Sequence, residues 1–131
     1  NSNKDTILDP RYKDDIIVYS ESPVFGSQED EYNYYYIKLD ANRVLVWGKA
    51  VSGLEGEKTL SVSQYQAIVN MAFTEEFKSL DEDISDKSVM DGSSSNITLY
   101  YSDNTSFTTG GINPTNKLYN KLVDKLKSYT K

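Results

Sequence analysis

Two four-residue turn signatures, each set between apolar runs, constrain what this chain can fold into more than any other feature. Asp40-Ala41-Asn42-Arg43 separates the apolar run 34–39 from 44–47, and Ser102-Asp103-Asn104-Thr105 separates 97–101 from 106–109. Asp and Asn tolerate the tight and left-handed conformations that a hairpin turn requires. Hairpins join antiparallel strands, so the sheet built from these runs is antiparallel. An earlier run, Ile16-Ile17-Val18-Tyr19, is β-branched and aromatic and supplies another strand. In the first hairpin both flanks are apolar on consecutive residues, which predicts strands buried on both faces near the middle of the sheet. In the second, Ile97, Leu99 and Tyr101 alternate with Thr98 and Tyr100, the pattern of a half-buried strand. Residues 48–59 form a polar, Gly-containing connection with room for a short edge strand.

Helical periodicity occupies the remaining chain. Ser61 followed by Gln64 matches a capping box, in which each side chain satisfies the other residue's free N–H. Val62, Tyr65, Val69, Ala72 and Phe73 then recur at helical spacing, and a further short turn carries Phe77 and Leu80 toward the core. Gly110-Gly111 is expected to break the last strand. Asn113 is placed as an N-cap with Pro114 at the first helical position, and Leu118, Leu122, Leu126 and Tyr129 share one face of a terminal helix. The expected order is β-β-β-α-β-β-α, an α+β fold with an antiparallel sheet of about five strands and two covering helices. A length of 131 residues fits one domain. Residues 1–15, with Asp9-Pro10, read as a loose lead-in, and 16–131 as the single α+β domain.

Composition narrows function by exclusion. There is no Cys and no His, which removes disulfides, thiolate nucleophiles, the commonest general base and the commonest transition-metal ligand. A nucleophilic Ser would need Lys as its base, and Ser128-Tyr129-Thr130-Lys131, at the fraying end, is a chance spacing. Pairs of carboxylates arise by accident among 20 acidic residues, so the chain reads as a non-enzyme, with a carboxylate-dependent hydrolase as the least favoured reading. No metal site and no cofactor is expected: Asp81, Asp83 and Asp86 offer clustered oxygens for Ca²⁺, but the Gly after the third ligand and the closing Glu of an EF-hand are absent, so a solvated loop is the reading. A net charge of -6 argues against nucleic acid and anionic membrane surfaces. The run Lys117, Lys121, Lys125, Lys127 and Lys131 then reads as a solvated helix face. No apolar run is long enough for a transmembrane segment.

Tyrosine is the unusual residue, with 11 copies. Tyr32, Tyr34, Tyr35 and Tyr36 crowd one segment, Tyr100 and Tyr101 share a later strand, and Trp47 lies in the first hairpin. Strand alternation puts Tyr34 and Tyr36 on one face and Tyr35 with Ile37 and Leu39 on the other. Tyr34, Tyr36, Trp47 and Tyr100 are the candidate binding residues, because exposed Tyr and Trp suit recognition surfaces. The competing reading packs these rings into the core. Gly110 to Thr115, leading into a helix, is explained as a strand-to-helix connection.

The capped helix from Ser61, the stretch Phe77-Lys78-Ser79-Leu80-Asp81, Asp91-Gly92, the late hairpin and Gly110-Gly111-Ile112-Asn113-Pro114 together resemble small Gram-positive bacterial lipoprotein or secreted domains of unknown function. That resemblance implies an extracytoplasmic location, secreted or lipid-anchored upstream of Asn1, and carries no catalytic residue. The lipobox cysteine of such proteins is absent here. The bias to Lys over Arg, with abundant Asn, Ile and Tyr, agrees with a bacterial source. The expectation is a binding or interaction module of the cell envelope whose partner is a protein, peptide or glycan. The alternative is a structural accessory domain of an envelope assembly.

Overall fold

The structure, a computed structural model, describes residues 8–23, 34–88 and 92–131. Six strands form one wholly antiparallel sheet: β1 (Asp15–Pro23), β2 (Tyr35–Asp40), β3 (Val44–Lys49), β4 (Gly53–Thr59), β5 (Ser93–Tyr100) and β6 (Ser106–Ile112). Their spatial order is β4-β3-β2-β1-β5-β6. Three helices complete the described residues: α1 (Val62–Ala72), the single turn α2 (Glu75–Lys78) and α3 (Lys117–Ser128). The fold is therefore α+β and antiparallel as expected, with six strands and three helices where about five and two were expected. The extra strand is β4, whose sequence Gly-Leu-Glu-Gly-Glu-Lys-Thr has little strand character of its own and is held by pairing with β3. The extra helix is the turn that carries Phe77, which is fully buried.

The strands of the first hairpin bury one face, not both. Ile37 and Leu39 of β2 and Leu45 of β3 are fully buried, while Lys38, Val44 and Val46 between them stay half-buried. An antiparallel sheet can leave one face to water, and β-branched Val there gains from cross-strand packing without a covering layer. The buried face collects Ile17 and Tyr19 of β1, Ile97 and Leu99 of β5, and the helical residues Ile68, Val69, Ala72, Phe77, Tyr119, Leu122 and Leu126. Phe77 meets Phe107 of β6 edge to face at 6.4 Å, and Phe73 meets Tyr101 at 5.7 Å in the same geometry. No described helix lies on the opposite face.

Local signals act where their hydrogen bonds are short-range. The Gln64 N–H donates to Ser61 Oγ at 3.1 Å and the Ser61 N–H donates to Gln64 Oε1 at 3.0 Å, completing the capping box. The Asp40 carboxylate accepts from the N–H groups of Asn42 (2.8 Å) and Val44 (2.9 Å), closing the first hairpin. Asp103 accepts in the same way from Thr105 at the second. On α1, Val62 is exposed and Ile68 takes its place in the core.

Two expectations near the C-terminus are corrected. Gly110 and Gly111 continue β6 instead of ending it, because they pair with Asn96 and Ser95 of β5 on one side while residues 82–86 run along the other. Gly110 N–H donates to Glu82 O (3.1 Å), Ile84 N–H to Gly110 O (2.9 Å) and Asp86 N–H to Ile112 O (2.9 Å). A Cβ on Gly110 would collide with the Ser95 carbonyl, so the missing side chain permits the close approach. The cap of α3 is Asn116, whose side chain accepts from the Tyr119 N–H at 3.1 Å, not Asn113. Asn113 instead sits at φ 45° and accepts from the Ser93 N–H at 3.2 Å, turning the chain out of β6. Within the segment expected as a lead-in, Leu8 N–H donates to Phe73 O (2.7 Å) and Arg11 N–H to Tyr100 O (3.1 Å), tying it beside the end of β5.

Candidate functional site

The four candidate binding residues do not form one surface. Tyr36 lies opposite Ser20 of β1 and Gly48 of β3 on the face that no described helix covers. Tyr34, just before β2, is 43% exposed, and its carbonyl accepts from the Ala50 N–H at 2.9 Å. Tyr100 is on the same open face of β5, but the register places it level with Ile16, four residues along β1 from Ser20. That is about 13 Å along the strands and about 10 Å across them from Tyr36. Trp47 points to the helix-covered face: it pairs with Ile37 and packs against the core with its indole over Gly56. Tyr35 joins Trp47 on that side, packed against the core with Ile37 and Leu39. Tyr32 lies outside the described residues, as does Asp91.

What gathers around Tyr34 and Tyr36 is aliphatic. Val51 in the β3–β4 turn is 72% exposed and Leu54 at the start of β4 is 58% exposed. Leu54 pairs with Gly48, which pairs with Tyr36, so these residues form one cross-strand row at the end of the sheet. A bulge between Trp47 and Gly48 seats this corner; a Cβ on Gly48 would strike the Gly53 carbonyl. The same end holds Lys49 and Glu55, both exposed.

Two clefts of about 300 Å³ lie elsewhere among the described residues, and sequence reasoning singled out neither. One, of about 310 Å³, runs between α3 and the ends of β1 and β5 and includes Tyr19, Glu21, Ser95, Tyr119, Asp124 and Lys127. Its polar groups are largely paired with each other. Ser95 Oγ and Tyr119 Oη share a hydrogen bond of 2.7 Å, and Lys127 Nζ meets the Glu21 carboxylate at 3.1 Å. Burial pushes the Tyr119 phenol up to about 12, and burial with the nearby Glu21 charge raises Tyr19 further. Both phenols are therefore neutral donors across the ordinary pH range. Two carboxylates, Glu21 and Asp124, share this cleft, but Glu21 is engaged by Lys127.

The other cleft, of about 300 Å³, lies where the lead-in meets the β2–β3 turn and α1 and is lined by Asp9, Pro10, Arg11, Tyr12, Ala41 and Tyr65. The Arg11 guanidinium carbon lies over the Tyr100 ring, 4.1 Å from its centroid, which occupies that face of Tyr100. A third, smaller hollow of about 110 Å³ adjoins Tyr101, whose buried hydroxyl has no partner among the described residues and whose phenol is pushed up to about 12 by burial.

The acidic loop is organised by its own hydroxyls. Asp83 accepts from the Ser85 N–H (3.0 Å) and Oγ (2.6 Å), and Asp86 accepts in the same way from Ser88. These bonds hold Asp83 down to about 2 and lower Asp86 as well. Among the described residues no three potential ligands gather in a metal-binding arrangement, and no helix is long and apolar enough to cross a membrane. No family model, no curated protein and no solved structure matches the chain.

Proposed function

We propose that this domain is an extracytoplasmic interaction module that meets a protein, peptide or glycan through the end of the sheet carrying Tyr34, Tyr36, Val51 and Leu54. One observation carries the reading. Of the five large hydrophobic residues that are exposed among the described residues, three (Tyr34, Val51 and Leu54) gather at this corner. Single exposed apolar side chains are ordinary, but a group of them beside an amphipathic Tyr suits a contact surface. The composition and the resemblance to small bacterial secreted domains support the location. The accessory-domain alternative draws on Tyr19, Tyr101 and Tyr119, which are spent on the core.

Two measurements test the proposal. Residue-resolved nitration should modify Tyr34 quickly and spare Tyr19, Tyr101 and Tyr119. Binding on peptide and glycan arrays should be lost in Tyr34→Ser with Leu54→Ser and kept in Val62→Ser, an exposed control on α1. Binding that survives the double substitution, or that Val62→Ser abolishes equally, rejects the surface.

A further inference from the structure

One edge of the sheet is sealed and the other is open. Beyond β6, residues 82–86 run alongside, with Gly110 N–H donating to Glu82 O and Asp86 N–H to Ile112 O. β4 ends the sheet on the other side, and β3 is its one partner strand among the described residues. The register fixes which backbone groups are left over. Leu60 N–H donates to Arg43 O at 2.8 Å, so Lys58 and Gly56, in step with Leu60, also bond toward β3. An antiparallel strand bonds to its two sides on alternate residues, so Glu57 and Thr59 turn their N–H and C=O groups outward. No described residue bonds to those groups. Such a row of unpaired donors and acceptors is a template for another strand.

Two side chains select the strand that suits this edge. The first is Trp47. Gly56 carries no side chain, and the half-buried indole of Trp47 fills the place a Cβ would take, so the ring extends from β3 across β4. An added strand lies about 4.8 Å beyond β4, which sets its residue opposite Gly56 beside that ring, on the helix-covered side. An apolar side chain is favoured there.

The second is Glu57. Glu55 and Glu57 are exposed and take part in no ion pair among the described residues. Glu57 pairs with Val46 and stands on the open face, while the adjacent cation, Lys58, pairs with Leu45 and lies 6.0 Å from the centroid of the Tyr129 ring. Opposite charges across a strand pair attract, so the residue facing Glu57 gains from being Lys or Arg. A second copy of this chain is disfavoured for the same reason: two-fold antiparallel pairing of β4 with itself brings Glu55 and Glu57 against the same pair of charges.

We propose that the free edge of β4 takes up an extended peptide strand, antiparallel to it, in which basic residues facing Glu57 alternate with apolar residues facing Trp47. Main-chain hydrogen bonds supply the affinity of such a complex, and the alternate side chains its specificity. The edge adjoins the Tyr34–Leu54 corner but rests on backbone groups, Trp47 and Glu57, so each reading can fail alone.

The probe is an acetylated, amidated hexapeptide of alternating Lys and Val, titrated to about 1 mM, with amide hydrogen exchange followed by NMR. The Glu57 and Thr59 N–H groups should become protected, and those of Gly56 and Lys58, already bonded to β3, should not change. The fluorescence of Trp47, the single tryptophan, should shift. The corresponding Glu-Val hexapeptide should bind at least about fivefold more weakly, and Glu57→Lys should reverse that preference. Position 57 is exposed, so circular dichroism should show this variant folded as the parent is. A third peptide, N-methylated on its Lys residues, tests the unmodified protein. It keeps the charge but loses the donors that would face β4, and should not bind. Absence of Glu57 and Thr59 protection at about 1 mM overturns the proposal. Equal binding of the Lys and Glu peptides, or undiminished binding of the methylated one, does the same. So does loss of binding in Tyr34→Ser, which would place the peptide on the corner instead of the edge.

Discussion

Removing the hydroxyl of Tyr119 tests how the helix-covered core tolerates polar atoms. Tyr119 is 1% exposed and Ser95 is 8% exposed, and their hydroxyls lie 2.7 Å apart between α3 and β5. A neutral hydrogen bond contributes about 1 kcal/mol net, but leaving one buried hydroxyl unpaired costs about 1–3 kcal/mol. The cleft beside the pair, and the neighbouring Tyr19 hydroxyl, offer Ser95 partial compensation, which places Tyr119→Phe at the low end, about 1–2 kcal/mol. Ser95→Ala should cost a similar amount by stranding the phenol. The double variant removes both partners together and should cost clearly less than the sum, with a coupling energy of about 1 kcal/mol. Urea unfolding of the four proteins at constant slope measures this directly, and each kcal/mol corresponds to about 4 °C in Tm for a chain of this size. Single costs that add to within about 0.3 kcal/mol would refute the reasoning. The two hydroxyls would then be satisfied independently, and the contact would carry no coupling.

Gly56→Ala should displace the indole of Trp47, because a Cβ at position 56 overlaps the ring. The expected cost is about 1–3 kcal/mol, with a shift in the fluorescence of this single tryptophan; an unchanged spectrum would mean the ring does not rest on Gly56. Acid should weaken the fold through Asp83, Asp86 and Asp103, all held below their ordinary values by Ser or Thr bonds. A carboxylate with a lowered folded pKa binds fewer protons when folded, so its contribution is full above about pH 4 and is lost as the pH falls toward 2. Denaturant midpoints measured against pH should therefore slope less over that window in Asp83→Asn. Asp15 has the opposite sign, raised chiefly by burial, so Asp15→Asn should stabilise the protein at neutral pH relative to acid.

What the sequence by itself determined was whatever a few neighbouring residues settle among themselves. The capping box of Ser61 and Gln64, and the turns built on Asp40 and Asp103, rest on hydrogen bonds between residues two to four apart, which any chain bearing those side chains can form. Strand alternation likewise separated Tyr34 and Tyr36 from Tyr35, since pleating requires no distant partner. Tertiary structure decided the rest, because each outcome needed a surface from far along the chain. β4 exists through its pairing with β3, and Gly110-Gly111 stays extended between β5 and residues 82–86. Trp47 faces the core through the register of its hairpin, while Tyr100 stands apart from Tyr36 through the offset of β5 against β1. Arg11 acquired a cleft only when the sheet brought Tyr100, Ala41 and Tyr65 around it. Periodicity records which side of an element is apolar; it holds no record of what will be placed against that side.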